Sequence, residues 1–144
     1  MLTKEILRIK GTALYTIGPD GPLAEAVASM VENDIGSLVV MDRGRMVGML
    51  TFREVLRAVN AGQGSLAGSK VADIMVRNPT HVGPDVEVDE LRRLMLETRA
   101  RYVPVMDGTT LAGVLSFHDV AKAVLEEQSF ENRMLKGYIK NWPE

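Results

Sequence analysis

The stretch Gly48-Met49-Leu50-Thr51-Phe52-Arg53-Glu54-Val55 returns, at an offset of 65 residues, as Gly113-Val114-Leu115-Ser116-Phe117-His118-Asp119-Val120. Without any gap, the same offset aligns Gly18-Pro19-Asp20 with Gly83-Pro84-Asp85, and Val40-Met41-Asp42 with Val105-Met106-Asp107. A constant offset across separated segments indicates that one structural unit has been duplicated. The chain is therefore expected to contain two copies of one fold.

Hydrophobic patterning predicts the order strand, helix, strand, strand, helix in each copy. In the first copy, Asp20 is expected to cap a helix that begins at Gly21-Pro22, and a second helix is expected from Phe52. The remaining first-copy predictions are a short strand at 14–17 and a hairpin of 37–41 with 46–50. The second-copy predictions are a strand at 80–82, a helix through Val88, Leu91 and Met95, and a hairpin of 102–106 with 111–115.

The domain organisation follows from the repeat and from composition. Residues 1–61 are expected to form the first repeat with its N-terminal lead-in, and 70–125 the second repeat. The glycine-rich segment 62–69 is typical of a linker, and 126–144 is expected to be a C-terminal helix and tail. Because a unit of about 60 residues is marginal alone, we expect one α/β body with two βαββα repeats related by a pseudo-twofold axis. Such an axis would leave two equivalent clefts, which are natural ligand sites.

The composition excludes several classes of protein. The 144 residues are 46% hydrophobic and 25% charged, as in globular proteins, and no apolar run approaches the ~20 residues that cross a bilayer. Without cysteine there is no disulfide or thiolate site, and a net charge of −2 without basic blocks argues against nucleic acid as a partner. The start Met1–Glu5 lacks the features of a secretion signal, so the cytoplasm is the expected location.

The repeated loop, glycine, two apolar residues, Ser or Thr, two further residues and an acid, resembles that of the cystathionine-beta-synthase (CBS) domain family. The resemblance spans about Leu7 to Leu125 and includes Asp73-Ile74-Met75 and Tyr102-Val103-Pro104-Val105. It implies a standalone pair of CBS domains that binds AMP, ATP, NAD or S-adenosylmethionine and acts as a sensor, not an enzyme. We further expect a homodimer that signals ligand occupancy to a protein partner still to be identified.

The second loop carries the more complete ligand grip. A carboxylate accepts hydrogen bonds from both hydroxyls of a ribose, and a nearby hydroxyl suits a phosphate, so Asp119 and Ser116 are the favoured pair. The resemblance adds a basic residue for the phosphate, Arg101, and an approach segment through Lys10. The residues predicted for this stronger cleft are Lys10, Thr12, Tyr15, Ile35, Gly36, Arg101, Val114, Ser116, His118 and Asp119.

The first loop is expected to form a weaker cleft. Glu54 is one methylene longer than the aspartate usual in the family, His81 stands where threonine is usual, and the repeat partner of Arg101 is Gly36. The residues predicted for this cleft are Met49, Thr51, Arg53, Glu54, Asn78, Thr80, His81 and Tyr102. The structural alternative for both loops is a capping box, in which the hydroxyl and the acid stabilise the start of a helix.

The amino-acid sequence leaves two alternatives to a nucleotide sensor open. One is an interaction module with empty or degenerate clefts, and the other is a small hydrolase built on Ser116 and His118. Neither histidine has partners at metal-ligand spacing, so no metal site and no catalytic residue is predicted. The apolar stripe Phe130, Met134, Leu135, Tyr138 and Ile139, with Trp142 beyond it, indicates a helix that packs on its own domain, forms a dimer contact or docks a partner.

Overall fold

The computed structural model describes residues 1–11 and 13–140, the last three by their backbone alone. In chain order the elements are α1 (Thr3–Lys10), β1 (Thr16–Ile17), α2 (Leu23–Glu32), β2 (Ser37–Asp42), β3 (Arg45–Thr51), α3 (Phe52–Ala61), α4 (Val71–Ile74), β4 (Val76–Arg77), α5 (Val88–Thr98), β5 (Tyr102–Asp107), β6 (Thr110–Ser116) and α6 (Phe117–Lys140). No helix within these residues is both long enough and apolar enough to span a bilayer.

The two predicted repeats are confirmed down to the register of their strands. β2 and β3 form an antiparallel hairpin with a bulge after Val40, and β5 and β6 form the same hairpin with a bulge after Val105. β1 pairs in parallel with β2, and β4 extends the first sheet on the far side of β3. Identical bulges at the offset of 65 show that both copies keep the same backbone geometry.

The hairpins of the two repeats pack against each other through a methionine-rich cluster. Its members occupy equivalent positions in the two copies, with Met41 matching Met106 and Met49 matching Val114. Val39, Met49 and Leu111 are its buried residues. A contact in which the same surface of each copy meets the other is the signature of twofold symmetry, so the repeats are related by a pseudo-twofold axis.

Each repeat completes its core with a lead-in segment from elsewhere in the chain. Ile6 of α1 is buried in the core of the second repeat, together with Leu91, Val103 and Leu115. Val71 and Met75, which begin and follow α4, are buried in the core of the first repeat. The lead-in that precedes each repeat in sequence therefore packs on the opposite repeat.

The cores of the two repeats are otherwise built alike. The first is formed by apolar residues of α2, β2 and β3, namely Leu23, Ala26, Met30, Leu38, Val40 and Leu50. The second uses the corresponding face of α5 and the inward residues of β5 and β6, with Val120 and Ala123 of α6. Residues spaced three and four apart on α2 and α5 supply these faces, as their periodicity predicts.

Some local predictions are wrong. Asp20 does not cap α2, because the helix begins later, at Leu23, and its cap residue Pro22 forms no side-chain hydrogen bond. The backbone amide of Leu23 instead donates to the carbonyl of Ser69 at 2.9 Å. The predicted strand at 14–17 is reduced to β1, and the one at 80–82 to a single parallel bridge between Val82 and Val105.

The C-terminal helix is continuous with the last helix of the second repeat. α6 runs for 24 residues from Phe117 and crosses the predicted boundary at 125–126 without interruption. Residues 62–69 hold no helix or strand, and the exact domain boundaries stay predictions. Trp142, and the side chains of Tyr138 and Ile139, lie outside the described residues.

Replacing Ile6 by alanine tests the docking of α1 on the opposite repeat. Ile6 is 3% exposed, so its truncation leaves a cavity and lowers the free energy of unfolding by about 2 to 5 kcal/mol. Ile9 on the same helix is 69% exposed, and its replacement by alanine changes that free energy by no more than about 0.5 kcal/mol. Urea denaturation measures both, and equal losses would show that α1 is not docked.

Candidate functional site

A cleft of about 900 Å³ lies where the two repeats meet, and we call it the larger cleft. Nine of the residues predicted for the stronger cleft line it: Lys10, Tyr15, Ile35, Gly36, Arg101, Val114, Ser116, His118 and Asp119. The tenth, Thr12, lies outside the described residues. Segments far apart in sequence thus meet in one cavity, whose volume is within the roughly 300–1,000 Å³ typical of ligand sites.

Asp119 is the central polar group of the larger cleft. β6 ends at Ser116 and α6 begins at the next residue, which places Asp119 in the first turn of the helix. The backbone amide of Ser116 donates to Asp119 Oδ2 at 2.8 Å, and the backbone amide of Asp119 donates to Ser116 Oγ at 3.1 Å. The predicted capping box is therefore present, and it fixes both side chains at the edge of the cleft.

Lys10 of α1 forms an ion pair with Asp119. Its Nζ lies 2.7 Å from Asp119 Oδ2 and donates to the carbonyl oxygen of Val114, also at 2.7 Å. Lys10 is the last residue of α1, so the docking of that helix on the second repeat carries the ammonium group to the carboxylate. Among the described residues no hydrogen bond reaches Asp119 Oδ1, which leaves that oxygen as an acceptor for a ligand.

The surroundings of Asp119 shift its pKa. Burial acts to raise the pKa, but the hydrogen bonds from Lys10 and Ser116 and the positive charge of Lys10 outweigh burial, so the pKa lies below its usual value of 3.8. Asp119 is therefore ionised at neutral pH, as an acceptor of two hydroxyl hydrogen bonds requires.

The wall between the two repeats is aromatic. The ring of Tyr102 packs against Gly36 so closely that a Cβ atom at position 36 would overlap the Tyr102 hydroxyl. Phe52 meets the Tyr102 ring edge-on, with centroids 6.4 Å apart, and the guanidinium of Arg101 lies 5.6 Å from the Phe52 centroid. These contacts hold Arg101 beside both repeats.

A second cavity of about 210 Å³ lies on the other side of that wall, and we call it the smaller cleft. Six of the residues predicted for the weaker cleft line it: Met49, Thr51, Arg53, Glu54, Thr80 and Tyr102. Asn78 and His81 do not. Asn78 is exposed with a backbone φ of 49°, and the exposed His81 turns its Nδ1 to the carbonyl oxygen of Pro79 at 3.1 Å.

The carboxylate of Glu54 is directed back to its own helix. Glu54 Oε1 accepts hydrogen bonds from the backbone amide of Thr51 at 2.8 Å and from the Thr51 hydroxyl at 2.9 Å. Glu54 is only 6% exposed, whereas the equivalent Asp119 is partly open to its cleft. Both acids therefore complete a capping box, but Glu54 is the more deeply buried of the two.

Three arginines line both clefts, namely Arg53, Arg99 and Arg101. Arg101, predicted for the stronger cleft, thus lines the smaller cleft as well. Arg99 is not among the residues predicted from the sequence. It follows α5 in a left-handed conformation with φ 57°, and its repeat equivalent, Asp34, also has positive φ and lines the larger cleft.

Comparison with known proteins assigns the repeats to one family. The family model for the CBS domain matches residues 5–61 and 71–126, which together are more than half of the chain. The CBS domain-containing protein CBSX3, mitochondrial, of Arabidopsis thaliana is 32% identical over 126 residues, covering 84% of this chain. The chain spans 61% of that relative's length.

Solved structures share the fold. The crystal structure of a CBS-domain-containing protein from Agrobacterium tumefaciens superposes with a TM-score of 0.80 at 35% identity, covering 85% of this chain and 98% of that one. The crystal structure of CBSX2 in complex with AMP gives a TM-score of 0.70 at 29% identity, covering 80% of this chain and 90% of that one.

A double-mutant cycle on Lys10→Met and Asp119→Asn tests the ion pair. Near pH 7 we expect a coupling of about 1 kcal/mol in the free energy of unfolding, because water still reaches this pair. The folded-state pKa of Asp119 is depressed, so this stabilisation is complete above the unfolded value of 3.8 and is lost as pH falls through the lower folded value. Denaturation at a series of pH values from neutral to well below 3.8 measures the change, and a coupling that does not decline anywhere below pH 3.8 would contradict the assignment.

Proposed function

The chain belongs to the CBS domain family, and from that premise we propose that it is a regulatory module that binds an adenosine-containing ligand in the larger cleft. The observation that carries the proposal is the cavity of about 900 Å³ built around the ionised Asp119. The solved structure of CBSX2, a relative at 29% identity, contains AMP, which supports the same class of ligand here. AMP, ATP and NAD share the ribose and base that this cleft would hold.

The polar groups of the larger cleft suit a ribose. Its two adjacent hydroxyls are donors, and Asp119 supplies a carboxylate whose Oδ1 has no hydrogen bond among the described residues. The capping box holds Asp119 and Ser116 in place before a ligand arrives, which lowers the entropy cost of binding.

The walls of the cleft suit the rest of the molecule. Tyr15, Ile35 and Val114 offer apolar surface for a flat base, and Arg101 and Lys10 offer positive charge for a phosphate. Four cationic side chains line the cavity (Lys10, Arg53, Arg99 and Arg101), against the carboxylates of Asp34 and Asp119. An anionic ligand is therefore favoured over a cation such as S-adenosylmethionine.

Signalling follows from the position of the cleft between the repeats. A ligand that contacts Tyr15 and Ile35 of the first repeat and Asp119 of the second binds one arrangement of the repeats better than others. It then shifts the population toward that arrangement by its difference in affinity. A partner that contacts both repeats would detect the shift without any catalysed reaction.

A second candidate is an interaction module whose clefts hold no nucleotide. Its support is the buried carboxylate of Glu54, which removes one of the two acids, and the exposed apolar residues Phe130, Met134 and Leu135 on α6. Titration with nucleotides separates the two candidates.

The cytoplasmic location stays a prediction.

Titration with AMP, ATP and NAD tests the proposed function. We expect saturable binding by the wild type and a loss of at least about tenfold in affinity for Asp119→Ala, because a hydrogen bond to a charged group contributes roughly 1.5–3 kcal/mol. Asp107→Asn, at the exposed end of β5, removes the same charge outside the cleft and should bind like the wild type. Calorimetry gives the affinities, and absence of binding at millimolar ligand would favour the interaction module.

The proposed homodimer is tested on the distal half of α6. Burial of the exposed apolar side chains of this segment against a second copy would stabilise the dimer. The triple variant Phe130→Gln, Met134→Gln and Leu135→Gln should therefore sediment as a monomer. A control with Glu131→Gln and Lys136→Gln changes polar residues of the same segment and should keep the wild-type mass. If the triple variant keeps that mass as well, the dimer contact lies elsewhere.

A further inference from the structure

We propose that the smaller cleft binds a small oxyanion, with inorganic phosphate as its simplest ligand, and is not a second nucleoside site. The inference goes beyond the proposed function, since it concerns the cavity on the other side of the Tyr102 wall. The small volume of this cleft, its three arginines and the burial of its one carboxylate all point to it.

The volume of the smaller cleft suits an ion better than a nucleoside. At about 210 Å³ it is less than a quarter of the larger cleft and falls below the roughly 300 Å³ at which pockets for drug-sized molecules begin. A water molecule takes about 30 Å³ in the liquid, so a phosphate with a few bound waters fits this space. A base and a ribose together would require the wall to move.

The acid that would hold a ribose is already engaged. Glu54 occupies the position of Asp119, but its Oε1 accepts two hydrogen bonds from Thr51 and the side chain is buried. Glu54 Oε2 accepts no hydrogen bond among the described residues, but the side chain is far less exposed than that of Asp119. The acid of this cleft is therefore less accessible to a sugar, and no lysine among the described residues pairs with it.

The positive charge of the smaller cleft has few local partners. Arg53, Arg99 and Arg101 line the cavity, and none of them forms an ion pair with a carboxylate among the described residues. Three guanidinium groups face the single carboxylate of Glu54 in a protein whose net charge is −2. Guanidinium groups bind phosphate oxygens through paired hydrogen bonds, and the hydroxyl of Thr80 on the same wall adds a donor.

The same arginines also line the larger cleft, so the oxyanion has two sources. It is either a free ion or the terminal phosphates of a nucleotide held in the larger cleft. In both cases a phosphate group binds to Arg53, Arg99 and Arg101. Competition between ligands separates the two sources.

The first test is calorimetric titration of the full chain with inorganic phosphate, at an ionic strength held constant with chloride. We expect saturation at one phosphate per chain and a loss of affinity of at least about fivefold in Arg53→Gln and in Arg99→Asn. Asparagine is used at position 99 because it tolerates the left-handed backbone. Arg45→Gln, at the exposed start of β3, removes the same charge elsewhere and should stay within about twofold of the wild type.

Thermal unfolding in chloride identifies any variant that fails to fold, and Thr80→Val tests the cleft without a change of charge. Binding that does not saturate, or an equal loss in Arg45→Gln, overturns the proposal, since the effect would then be general screening. The titration contains no nucleoside, so its failure leaves the proposed function standing, and absence of adenosine binding leaves a positive phosphate result standing.

The second test adds nucleotides to the phosphate-saturated protein. Displacement of phosphate by ATP but not by AMP identifies terminal phosphates as the occupant, and no displacement by either identifies a free ion. Both results support an oxyanion site. Displacement by adenosine, which carries no phosphate, overturns the proposal, because it would place a nucleoside in the smaller cleft.

Discussion

The exchange of lead-in segments is the constraint on which the rest of this structure depends. Neither repeat has a complete core until α1 covers the second and α4 covers the first. Because each lead-in is covalently attached to the repeat it does not cover, the two units are held together by chain connectivity as well as by the methionine-rich cluster. Ile6 belongs to the lead-in of the first repeat but is buried in the core of the second. This contact shows how two marginal halves form one body.

The same exchange explains why the two clefts differ. α1 is eight residues long and carries Lys10 to Asp119, whereas α4 lasts four residues and leads directly into β4. At the offset of 65 the position of Lys10 is occupied by Met75, so the smaller cleft receives no lysine, and its acid, Glu54, is buried. A duplicated loop with unequal lead-ins yields one cleft with an accessible carboxylate and one dominated by arginine.

The repeated fold and most residues of the larger cleft could be predicted from the sequence, because the two copies align at a constant offset without a gap. The offset of 65 located both hairpins and the residues around Asp119, since strands and capping boxes are set by local pattern. The course of the lead-ins could not be predicted, because it depends on contacts between residues far apart in sequence. Arg99 was missed because its position depends on the left-handed turn after α5, whereas the capping box of Thr51 and Glu54 was expected as the structural alternative.

The unbroken helix α6 connects the larger cleft to a distant part of the protein surface. The helix begins beside Ser116 and Asp119 and continues for 24 residues, about 36 Å at 1.5 Å per residue. Val120 and Ala123 fix the first part of the helix in the core of the second repeat, whereas Phe130, Met134 and Leu135 farther along are exposed. One helix thus joins the acid that lines the larger cleft to an exposed apolar surface.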